Sequence, residues 1–165
     1  MAYISPSPGT TSQVVLKLDC GIALGTLTLG GSPLTVPALQ NITINAANDV
    51  FTWSQLDATA KKQVATTSTN SVGMSLVVDS ATFFGSTLAS VQTDTVAAQG
   101  LLGLSRNKTL VTFSLKFAEE GASDKFIKGQ GYITGLAPTV SADSPVWVSP
   151  ITITVTGEYT TSATE

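Results

Sequence analysis

The chain has 165 residues, of which 42% are hydrophobic and only 12% charged, about half the charged share of an ordinary globular protein. Eight Lys and Arg against eleven Asp and Glu leave a net charge of −3, so no basic surplus is present to grip phosphate. With no histidine and a single cysteine, Cys20, the chain excludes His-dependent triads, His-based metal sites and an internal disulfide. Polarity comes instead from the hydroxyls of 25 Thr and 18 Ser. This length fits one domain that buries roughly 70% of its unfolded surface. Residues 1–13 are expected to form an N-terminal arm, and 160–165 a flexible tail.

From the start of the chain, Met1-Ala2-Tyr3-Ile4 runs into Ser5-Pro6-Ser7-Pro8-Gly9 without the basic and apolar regions of a secretory signal. Synthesis in a cytoplasm, with Cys20 reduced, is therefore expected. Val14, Leu16 and Leu18 alternate with Val15, Lys17 and Asp19, the period of two that a half-buried strand requires. Leu27 and Leu29, alternating with Thr26 and Thr28, predict a second strand, and Ile42 with Ile44 a third. The uncharged stretch from Cys20 to Asn48 is no membrane span, because Gly30-Gly31, Pro33 and Pro37 interrupt it. Asp57 to Val64 reads as either a short helix capped by Asp57 or an ordered loop.

Val72, Met74, Leu76 and Val78 form the clearest buried face. The period then changes: Asp94 is a good N-cap, and Leu101, Leu104 and either Val96 or Ala97 can share one helical face. That face could plug an open end of a β core. Gly100 and Gly103 each cost about 1 kcal/mol relative to Ala, so the helix is short and held by packing. Phe113, Leu115 and Phe117 resume the strand period. Their run turns at Glu119-Glu120-Gly121 and returns through Lys125-Phe126-Ile127-Lys128, a hairpin from Val111 to Tyr132. Acids before its turn are expected to face lysines after it. Ile151, Ile153 and Val155 alternate with threonines and close the series. Short antiparallel strands with turn residues between them imply a β-sandwich or barrel.

No catalytic constellation emerges. Glu119-Glu120 is the one adjacent carboxylate pair, but neighbours in a turn face water and do not drive their pKa values apart. Ser105-Arg106-Asn107-Lys108 fits the acylating Ser-x-x-Lys pattern without its partner motifs. Gly129-Gln130-Gly131 precedes a strand rather than a helix, and Thr134 stands where a dinucleotide loop needs its third glycine. Those glycines read better as a bulge or a close strand approach. Asn41-Ile42-Thr43 and Asn107-Lys108-Thr109 match the glycosylation pattern by chance in a Thr-rich chain. Trp53 and Trp147 either stack on sugars or fill core edges and subunit contacts, and the second reading is favoured. No metal and no cofactor is expected.

Three segments in order resemble the tail tube proteins of long-tailed bacteriophages. Trp53-Ser54-Gln55-Leu56-Asp57-Ala58-Thr59-Ala60-Lys61-Lys62-Gln63-Val64 is similar to that family's Thr-Leu-Asp-Ser-Thr-Ala-Lys segment, which enters a strand through a long loop. Gln99-Gly100-Leu101-Leu102-Gly103-Leu104 resembles its short helix. Lys128-Gly129-Gln130-Gly131-Tyr132-Ile133-Thr134-Gly135-Leu136-Ala137-Pro138 resembles its glycine-containing strand and following turn, with 151–157 as the closing strand. Ser80 to Asp94 is longer than the family usually places before its helix, and Cys20 to Pro37 matches only in being β-rich.

The resemblance implies a mainly β fold, an antiparallel β-sandwich or barrel with one short flanking α-helix and a long loop. It implies a structural, non-enzymatic subunit that forms hexameric rings stacked into a hollow tube, through which DNA passes. The implied partners are further copies, then tape measure, tail terminator and distal tail or baseplate proteins. DNA is bound only in transit, and no membrane is involved. The protein would be made in the host bacterial cytoplasm and reside in the virion tail. Assembly contacts are expected at Trp53, Leu56, Asp57 and Lys61, with the Asn45–Val72 loop touching the next ring, and at Glu119 and Glu120. A capsid cement or decoration protein is the alternative, and a glycan-binding module a third reading.

Overall fold

A computed structural model describes residues 14–56, 60–88, 91–118 and 123–165. Eight strands form one antiparallel sheet: β1 (Val14–Cys20), β2 (Leu34–Thr35), β3 (Leu39–Trp53), β4 (Lys62–Val77), β5 (Val111–Phe117), β6 (Lys125–Leu136), β7 (Thr139–Ser141) and β8 (Ser144–Ser162). Their order is β2-β1-β5-β6-β8-β4-β3, with β7 pairing β8 off this path. Two short helices, α1 (Ser80–Phe84) and α2 (Val96–Arg106), accompany the sheet. The mainly β reading holds, with two helices rather than one.

Residues 36–38 join the two ends of the sheet order. Val36 N–H donates to the Leu16 carbonyl on β1, and Val77 N–H donates to the Ala38 carbonyl beside β4. Ala38 takes a positive φ of 52° at this corner. The inward faces thereby share one core, in which Leu16 and Leu18 meet Val72, Met74, Leu76, Phe113, Leu115, Ile151 and Ile153. β-branched and large aliphatic residues at alternate positions make these strands, because each second side chain finds the same apolar interior.

The helices close that core. Thr95, not Asp94, is the N-cap of α2, its hydroxyl accepting from Ala98 N–H. Val96, Leu101 and Leu104 are buried while Ala97 is exposed, which decides between the two expected faces. The backbone leaves helical geometry at Gly100 (φ 63°, ψ 176°), so α2 is kinked. The lengthened stretch after Ser80 is accounted for by α1. Asp79 caps it, and the Thr82 N–H holds the Asp79 carboxyl below the usual range.

Three expectations are corrected. Leu27 and Leu29 lie in an irregular segment, since the backbone of 21–33 bonds to side chains: Gln130 Nε2 donates to the Ala23 and Thr26 carbonyls, and Gly25 N–H donates to Gln130 Oε1. The Asn45–Val72 loop is largely a hairpin, because β3 runs to Trp53 and β4 starts at Lys62. Lys62–Val64 is accordingly strand, neither helix nor loop. The Val111–Tyr132 hairpin forms as expected, but its described ion pair is Lys116 with Asp124 at 2.7 Å, a cation before the turn and an acid after it. At the other end of the chain, β8 continues as strand to Ser162.

Candidate assembly surface

β4 pairs with β8 only from Ser71 to Val77, whereas it pairs with β3 from Leu76 back to Lys62. Beyond Ser71 the β3–β4 hairpin therefore leaves the sheet as an arm about 30 Å long at ~3.4 Å per residue. Its root is fixed by side chains. Asn70 Nδ2 donates to the Gly157 carbonyl at 2.9 Å, and the Tyr159 hydroxyl reaches the Asn45 and Ser71 carbonyls. Here Gly157, Glu158 and Tyr159 bulge out of β8 opposite Gly129. Gly129 is required at this point: a Cβ there would lie 2.7 Å from the Phe113 ring, which packs edge-on against Tyr159.

Along the arm, Thr66 and Thr67 of β4 together oppose Asp49 of β3. Their hydroxyls donate to the Asp49 carbonyl and carboxylate, at 3.2 and 2.9 Å. Such a bulge increases local twist and spoils the edge for indiscriminate strand pairing. Both faces of the arm are open, for Lys62–Thr69 are all exposed. Yet the arm carries large apolar side chains into solvent: Val50, Phe51, Leu56 and Val64 are exposed, and Trp53 stacks on Phe51 with ring centroids 5.9 Å apart. An isolated two-stranded hairpin is marginal in water. A partner surface is the physical remedy for an apolar one.

Of the expected contact residues, the structure brings Trp53, Leu56 and Lys61 together at the arm's end, with Leu56 and Lys61 exposed and Trp53 half-buried. Asp57, Glu119 and Glu120 lie outside the described residues. The sequence reading missed the arm's stem, Val50 and Phe51, although its adjoining apolar pair was there to be read. It also left open the place of Trp147, which is exposed near the far end of β4.

Burial and the neighbouring Asp19 push the Cys20 thiol up, and its S–H donates to the Asp94 carbonyl at 3.3 Å, so it is a poor nucleophile. Among the described residues no three His, Cys, Asp or Glu gather to hold a metal, and no helix is long and apolar enough to cross a membrane. A groove of about 510 Å³ at the ends of β5, β6 and β8 is apolar, and Lys125 is the one titratable residue lining it among the described residues.

No protein-family model and no curated protein matches the sequence. Solved structures do match over most of the chain. A chain from the tail of an empty gene transfer agent particle, solved with C6 symmetry, is similar at a TM-score of 0.62 and 11% identity, covering 93% of this chain and 98% of that one. The SPP1 tail tube is similar at 0.61 and 14% identity, over 93% of this chain and 78% of that one. A chain of the PVC sheath-tube complex, an extracellular contractile injection system in its extended state, is similar at 0.55 and 12%, over 96% and 94%. The protein thus has the fold of tail tube proteins from phage and phage-like particles, as the ordered segments implied.

Proposed function

We propose that this protein is the tail tube subunit of a phage or phage-like particle, six copies closing into a ring and rings stacking into a hollow tube. The observation that carries the reading is the β3–β4 arm, a hairpin hydrogen-bonded to the body at its root and bearing Val50, Phe51, Leu56 and Val64 uncovered. A monomer gains nothing from such an arm; a subunit that lays it on a neighbour buries it. The likeness to a C6-symmetric tail supports six as the number.

The sparse charge fits the same role. Interface cores are depleted in charged residues, and a chain of net charge −3 lines a channel without retaining DNA phosphates in transit. Ring closure needs heterologous contacts, one face of each copy meeting a different face of the next. In this reading the protein is made in the host bacterial cytoplasm and resides in the virion tail. It has no catalytic role and needs no cofactor. Tape measure, tail terminator and distal tail or baseplate proteins are its further partners. Trp53, Leu56, Asp57 and Lys61 serve the ring-to-ring contact, with Glu119 and Glu120 at a second contact point.

Electron microscopy of purified protein at rising concentration tests this reading. Rings, then tubes, are expected. Monomers at every concentration, with intact tails after deletion of the gene, would refute it. Binding to preformed heads without stacking would assign a decoration protein instead.

A further inference from the structure

Building on the tube reading, we infer that the arm of one copy docks head to tail on the opposite pole of a second copy in the next ring, with Trp147 anchoring the receiving surface. Arm and pole terminate the same strand. β4 starts at Lys62, paired with Trp53 in the arm, and ends at Val77, paired with Val148. Its 16 residues span about 50 Å. At the far end Val78 N–H donates to the Trp147 carbonyl at 2.8 Å, which brings the start of α1 beside the β7–β8 tip. Trp147 is 52% exposed there, and Val140, Val146 and Phe84 are exposed on the same elements. Phe51, 58% exposed, is its counterpart on the arm.

Charge selects the pairing. The arm presents Lys61 and Lys62 to solvent, while Asp49, its described acid, has its carboxylate tied to Thr67. The pole presents Asp143, with the α1-capping carboxylate of Asp79 tied to Thr82, and the chain has no Lys or Arg between Gln63 and Ser105 or after Lys128. Pole against pole therefore repels, arm against pole attracts, and the stack acquires one polarity. A head-to-tail contact along one strand direction does not close, so it propagates as a filament while other surfaces close the ring. Several copies per ring multiply a contact that is weak singly.

Cysteine cross-linking tests the docking. In a Cys20→Ser background, Phe51→Cys and Trp147→Cys placed in one chain are expected to give a ladder of covalent multimers on mild oxidation of assembled tubes, with each single variant lacking the ladder. Tubes without a ladder would overturn the docking. Because these substitutions remove contact side chains, charge reversal gives a second route. Lys61→Asp with Lys62→Asp should raise the concentration needed for stacking more than about tenfold while rings persist, and Asp143→Lys should restore it. Unchanged stacking, lost rings, or no restoration each overturns the docking. A wild-type protein that never forms rings or tubes would instead refute the subunit reading, and the docking with it.

Discussion

The Tyr159 hydroxyl donates to the Ser71 carbonyl at 2.7 Å, at the point where the β3–β4 arm parts from β8. The Asn45 carbonyl lies 2.9 Å from the same oxygen, so one hydrogen ties both strands of the arm to the body. Tyr159→Phe should lower stability by about 0.5–1.5 kcal/mol in urea unfolding and speed amide exchange at the arm's root. Unchanged exchange there would contradict this role.

Burial raises the Tyr159 phenol. A raised folded pKa favours the neutral phenol, so its contribution is full below the ordinary unfolded value of about 10 and is lost as pH rises through the folded value. Stability should therefore fall more in wild type than in Tyr159→Phe on titration from pH 9 upward. Equal alkaline losses in the two proteins would count against it.

A Cβ on Gly100 would stand 2.3 Å from the Gly85 backbone nitrogen, at a φ of 63°. Its nearest neighbours, in Gly85, Phe84 and Phe83, are all backbone and cannot yield cheaply. Gly100→Ala should cost about 1–3 kcal/mol or more by denaturant unfolding. Gly73→Ala, with nothing near its Cβ, should stay within about 0.5 kcal/mol. Equal effects would show that the helix contact is not tight.

Gln130 is buried, and its amide holds the irregular 21–33 segment to the sheet. Gln130→Leu fills similar space but leaves the Gly25 N–H and two carbonyls without these partners. Unfolding should become about 1–3 kcal/mol easier, and limited proteolysis should cut first within 21–33. Cleavage elsewhere first would argue that other contacts secure the segment.

The raised thiol pKa makes Cys20 slow to alkylate at neutral pH. Modification by iodoacetamide in the folded protein should lag far behind that in urea. Equal rates would contradict the burial that causes the shift.

Strands with one buried face were legible in advance. Val72, Met74 and Leu76, or Ile151 and Ile153, alternate because only one side meets the core. The arm defeats that signal: among the described residues from Ala46 to Thr69 none is buried, so no alternation marks them, and a hairpin passes for a loop. Leu27 and Leu29 fail in the opposite way, alternating without a strand partner, since Gln130, distant in sequence, supplies the bonds. Trp53, Leu56 and Lys61 were legible through resemblance as residues of one segment, and the structure places them at the end of the arm. Trp147 was not, because its exposure depends on where β7 turns back onto β8, a tertiary fact.

The rotational symmetry of the assembled protein tests the central claim most directly. End-on cryo-electron images of purified protein at assembly concentration should show hollow rings with six equivalent subunits. Compact particles without a lumen, or monomers throughout, would contradict the account.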